Sequence, residues 1–62
     1  MIVMLTAVRK GDYVTHKIGN IYVNTNYIIC MRKDEDGTSI TLLGGESIFV
    51  KETPEYIMDK KE

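Results

Sequence analysis

Residues 21–51 read IYVNTNYIICMRKDEDGTSITLLGGESIFVK, and their reading decides the fold. Short apolar, β-branched runs are separated by residues that favour turns. Tyr27 to Lys33 predicts one strand, with Tyr27, Ile29 and Met31 on one face and Ile28 and Cys30 on the other. Asp34-Glu35-Asp36-Gly37 predicts a hairpin loop, with acidic residues opening the turn and Gly37 in the left-handed position. Residues 38–43 predict the returning strand, with Thr38, Ile40 and Leu42 sharing a face. Gly44-Gly45-Glu46 forms the next tight turn, and residues 47–51 pair back. Ahead of these, Ile21-Tyr22-Val23-Asn24 is a strand, and Asn24-Thr25-Asn26 punctuates the chain because asparagine side chains mimic a backbone turn.

Upstream, residues 2–9, IVMLTAVR, predict a strand with Ile2, Met4, Thr6 and Val8 on one face and Val3, Leu5, Ala7 and Arg9 on the other. Both faces are apolar for the first residues, so the strand needs cover on both sides. Lys10-Gly11-Asp12 is a turn, residues 13–18 predict a second strand, and Gly19-Asn20 predicts a two-residue hairpin into Ile21. Downstream, Thr53 suits a helix N-cap, Pro54 the first helical position and Glu55 the first turn, so the helix spans about residues 54–61. It is too short to persist alone and must dock through Tyr56, Ile57 or Met58. The expected fold is a single, mainly all-β domain over residues 1–62. It is a small antiparallel barrel or a bent sheet of five to six short strands, with one short C-terminal helix.

Sixty-two residues bury a marginal core, with only about 60% of the unfolded surface removed from water in a domain of this size. The two strands with apolar residues on both faces, Ile2 to Leu5 and Ile28 to Met31, ask for more cover than one small sheet supplies. They predict a homo-oligomer, a dimer in the first instance, with Ile2, Met4, Ile28, Ile29 and Met31 as self-association residues. No stretch approaches the roughly 20 apolar residues of a membrane span, and the start lacks the basic lead of a signal peptide. The one cysteine, Cys30, allows no internal disulfide, and a cytoplasmic protein without membrane partners is the expectation.

No residue set in the chain predicts catalysis. His16 and Cys30 have no second ligand pair at zinc spacing. Cys30, between Ile29 and Met31, reads as an inert core thiol. Asp34, Asp36 and Gly37 begin like a calcium loop, but Leu42 to Gly45 occupy the region where the bidentate glutamate belongs. Gly44-Gly45 has no lysine or hydroxyl of a phosphate-binding loop. The expectation is a non-enzymatic protein with no cofactor, no metal and no catalytic residue.

Net charge is −1, unevenly laid out. Up to Lys33 five basic residues stand against Asp12, a balance of +4, and from Asp34 onward three lysines stand against eight acids, a balance of −5. Separated in space these halves would polarise the surface; interleaved, they average out. Arg9, Lys10, Lys17, Arg32 and Lys33 are the candidate contacts to phosphate, with Tyr13, Tyr22 or Tyr27 available for stacking.

The run from Ile21-Tyr22-Val23-Asn24 through Tyr27-Ile28-Ile29 and Ile40-Thr41-Leu42 with Gly44-Gly45, to Val50-Lys51-Glu52-Thr53-Pro54-Glu55-Tyr56-Ile57, resembles the small flagellar FlbD/SwrD family over about half the chain. The resemblance implies a cytoplasmic, non-enzymatic accessory protein and supplies no catalytic residue. The same strand succession is similar, more weakly, to half of a LytTR-type DNA-binding domain, which reads DNA from loops of a β fold. Two functions follow as expectations: a self-associating module that binds a protein partner, and a nucleic-acid-binding regulatory module using the five basic residues.

Overall fold

The computed structural model describes residues 1–10 and 15–61. Five antiparallel strands make one sheet: β1 (Ile2–Lys10), β2 (Thr15–Asn24), β3 (Ile28–Asp34), β4 (Gly37–Leu42) and β5 (Ser47–Val50), followed by helix α1 (Pro54–Lys61). The strand order is β2-β1-β5-β4-β3. It is a bent sheet and not a closed barrel: β2 and β3 are its two edges. Residues of both edges nevertheless reach one core, Val23 from β2 and Ile28 and Met31 from β3, so the sheet must curl around it.

That core holds Val3, Leu5, Val23, Ile40, Val50 and Ile57, all at most 5% exposed. Leu5, Ile40, Val50 and Ile57 come from four different elements, so the hydrophobic burial that stabilises the fold also fixes its topology. The helix contributes Ile57, which is buried, while Tyr56 and Met58 on either side are exposed. Thr53 caps it through its hydroxyl, which accepts from the Tyr56 N–H at 3.1 Å. Thr38, Ile40 and Leu42 do share the inner face: the first two are buried and Leu42 packs against the core.

Three expectations are corrected. Residues 15–24 form a single strand where two strands and a Gly19-Asn20 hairpin were expected, and the described residues form five strands, within the expected five to six. The long β1 requires an equally long partner, and the ladder runs from Ile2↔Asn24 to Lys10↔Thr15. Gly19 serves a different purpose. Its φ of +155° sits where the register steps from Ala7↔Gly19 to Val8↔Lys17, leaving Ile18 as the extra residue of a bulge. The expected turn at Lys10-Gly11-Asp12 and the first residues of the expected strand 13–18 lie outside the described residues.

In β3 a second bulge overturns the expected faces. Ile28 pairs with Leu42 but Cys30 pairs with Thr41, so Ile29 is the inserted residue. Strict alternation is broken there, and Ile28 and Met31 turn inward while Ile29 and Cys30 are exposed. Cys30 is therefore a surface thiol, not a core one. Tyr27 belongs to a single 3-10 turn, Thr25–Tyr27, that precedes β3.

Gly37 is the third correction. Asp34 and Gly37 pair across the tip of the β3–β4 hairpin as expected, but Gly37 does not have positive φ. A Cβ there would run into the Val50 carbonyl oxygen and lie 3.3 Å from the Phe49 ring. Glycine is required by the close approach of β5, not by a left-handed turn. Gly44 and Gly45 do adopt positive φ, at +105° and +93°, in the tight turn between β4 and β5.

Candidate interaction surface

Alternation along β1 directs Val3 and Leu5 to the core and Ile2 and Met4 outward. Met4 lies opposite Tyr22 of β2, and Ile2 opposite Asn24. The three apolar side chains are well exposed: Ile2 60%, Met4 48% and Tyr22 71%. Neither Ile2–Val8 nor Ile18–Asn24 contains a charged residue. The outer face at this end of the β1–β2 hairpin, around Ile2, Met4 and Tyr22, is thus an apolar surface next to an open sheet edge.

The connection from β5 to α1 secures this hairpin. The Lys51 N–H donates to the Thr6 carbonyl at 2.9 Å, continuing the ladder that begins at Ala7↔Val50. At the next step a side chain replaces the backbone: the Glu52 carboxylate accepts from the Thr6 N–H at 2.8 Å and the Thr6 hydroxyl at 2.9 Å. The Glu52 carbonyl in turn accepts from the hydroxyl of the fully buried Thr38 at 2.6 Å. Glu52 therefore joins β1, β4 and the start of the helix connection. At the other end of β1, the Met1 carbonyl accepts from the buried Thr25, both N–H and hydroxyl.

The five expected self-association residues divide. Ile2 and Met4 are on the outer face of β1. Ile29 is exposed on the opposite edge, at the β3 bulge, beside a small groove of about 130 Å³ that Met58 of the helix also lines. Ile28 and Met31 are half-buried and pack on the core.

The five basic residues divide as well. Arg32 and Lys33, with Ser39 and Thr41, line a hollow of about 600 Å³ on the β3–β4 hairpin, and Asp34 lines it too. Lys17 lines a separate hollow of about 380 Å³ with Lys51 and Asp36, floored by Thr6 and Val8. Arg9 is exposed near the end of β1, and the side chain of Lys10 is not among those described. Carboxylates thus stand within both basic groups, and β1 lies against β5 as β3 lies against β4. The charge asymmetry along the chain is interleaved rather than separated. Tyr22 sits on the β2 edge, across the sheet from Arg32 and Lys33, and Tyr13 lies outside the described residues.

Reading the sequence did not find Glu52 or Thr25. Glu52 and Thr6 are 46 positions apart, and no local pattern announces such a contact. No helix among the described residues is long and apolar enough to cross a membrane. Comparison with protein-family models, with curated proteins and with solved structures returns no match to this chain.

Proposed function

We propose that this chain is a non-enzymatic, cytoplasmic interaction module that self-associates and presents a neutral apolar sheet face to a protein partner. The observation that carries the reading is the outward group of Ile2, Met4 and Tyr22 at the uncharged end of the β1–β2 hairpin. Scattered exposed apolar residues are ordinary, but adjacent ones on one sheet face mark a place where another surface docks. The small core points the same way, since the seven buried hydrophobic residues among those described leave little stability in reserve and an oligomer adds to it. The resemblance to the FlbD/SwrD family suits an accessory role of this kind.

The competing reading is a nucleic-acid-binding regulatory module, LytTR-like or a small RNA binder. It has the Arg32 and Lys33 hollow in its favour and the dispersal of the other basic residues against it. Light scattering on the size-exclusion eluate, together with a salt titration of binding to generic DNA and RNA, decides between them. The interaction module gives an oligomer and no binding to either nucleic acid at low salt. A monomer whose nucleic-acid affinity falls steeply with salt would reverse the conclusion.

A further inference from the structure

We infer that two copies of this chain pair along the free edge of β2, antiparallel about a two-fold axis at Tyr22, joining two five-stranded sheets into one continuous sheet. The inference rests on the self-association proposed above and says where it takes place. An edge strand displays a row of unpaired N–H and C=O groups, and an exposed, uncharged edge is a template for another strand.

The two edges of this sheet are guarded very differently. β3 carries a bulge at Ile29 and ends in Arg32-Lys33-Asp34. Both are devices that discourage pairing of an edge strand. β2 carries its bulge at Ile18 and its described charge, Lys17, together at one end. Beyond them Gly19–Asn24 runs as regular, neutral strand, with only β1 packed extensively along it.

A two-fold axis at Tyr22 sets the partners. Tyr22 faces Tyr22 of the second copy, Asn20 faces its Asn24, and Ile21 faces its Val23. On the core side, Ile21, which is only half-buried in one copy, gains an apolar neighbour. On the outer side the row across the joint becomes Met4, Tyr22, Tyr22, Met4, because Met4 already stands opposite Tyr22 within each copy. Among the described residues the most exposed large hydrophobic side chain, Tyr22, thereby finds an aromatic cross-strand partner. The asparagines supply neutral donors and acceptors to each other, so no like charges meet. The outer faces of the two hairpins merge into one apolar surface with twice the area for a partner.

Two measurements test this. In a Cys30→Ser background, Tyr22→Cys should oxidise readily to a covalent dimer, and Ser39→Cys, on β4 away from the joint, should not. Separately, Tyr22→Lys sets two ammonium groups directly opposite one another and should weaken the dimer by about a hundredfold, with an unchanged circular dichroism spectrum. Ser39→Lys should leave the dimer intact. If Tyr22→Lys remains a dimer, or the two cysteine variants cross-link equally, the edge pairing is wrong while self-association stands. If the parent protein is a monomer at high micromolar concentration, both fall.

Discussion

Replacing Glu52 by alanine should loosen the attachment of β1 to the rest of the sheet. The carboxylate accepts two hydrogen bonds from Thr6, at 2.8 and 2.9 Å, at the point where the β1–β5 ladder has run out of backbone. Hydrogen bonds to a charged group contribute roughly 1.5–3 kcal/mol each, and truncation leaves the partly buried Thr6 N–H without its acceptor. Because Glu52 is only half-buried, water compensates part of that loss, and a net cost of about 2–3 kcal/mol is the reasonable expectation. In a domain of this size each kcal/mol lowers the melting temperature by about 4–8 °C, so the variant should melt roughly 10–20 °C earlier.

Urea denaturation followed by circular dichroism, at one fixed protein concentration, measures the cost directly. Glu52→Gln keeps one acceptor oxygen and should lose about half as much. Thr6→Val removes the hydroxyl but keeps the N–H. Its effect should be about 1 kcal/mol in the parent and much smaller in the Glu52→Ala background, where the acceptor is already gone. A Glu52→Ala midpoint within about 0.5 M urea of the parent, at equal slope, would show that core packing and the backbone ladder hold β1 without the carboxylate.

Three further outcomes follow from the packing. Gly37→Ala forces a methyl group against the Val50 carbonyl and the Phe49 ring, and should destabilise by about 2 kcal/mol or more by separating β4 from β5; thermal melting reads it. Ile57→Ala empties the helix's place in the core at a cost of about 2–5 kcal/mol, enough to unfold much of the population, whereas Met58→Ala on the exposed side should stay within about 0.5 kcal/mol. Thr53→Ala removes the hydroxyl that accepts from the Tyr56 N–H and should cost about 1 kcal/mol in urea denaturation, with the sheet's amide exchange unaffected.

Local chemistry was legible in the sequence and distant chemistry was not. The helix begins at Pro54 and ends at Lys61 as expected, because Thr53 and Pro54 announce its start within two residues. The inward face of β4 follows from the alternation of Thr38, Ile40 and Leu42. Gly19 and Gly37 were recognised as special positions but for the wrong reasons. Each answers to a strand far away in sequence: Gly19 to the bulge against β1, Gly37 to the backbone of β5. Turn rules weigh neighbours along the chain, and a glycine selected by close approach of another strand carries the same letter as one selected for positive φ.

The faces of β3 show why strict alternation fails in a neutral apolar strand. A strand with polar residues on one side has its register fixed by burial, since a slip of one residue would expose the whole core face. Residues 27–31 have no such contrast, and either parity buries a comparable amount of carbon. The inserted Ile29 can therefore settle the matter, directing Ile28 and Met31 inward and Ile29 and Cys30 outward. In β1 the ambiguity is resolved the other way: alternation holds from Ile2 to Leu5, and Ile2 and Met4 are simply left outside. The apolar character of both faces is then not a record of cover within one chain. On β1 it adjoins the one edge that is neutral and unguarded. A hairpin that leaves a methionine and a tyrosine exposed on its outer face gains from them when a second sheet edge arrives beside it.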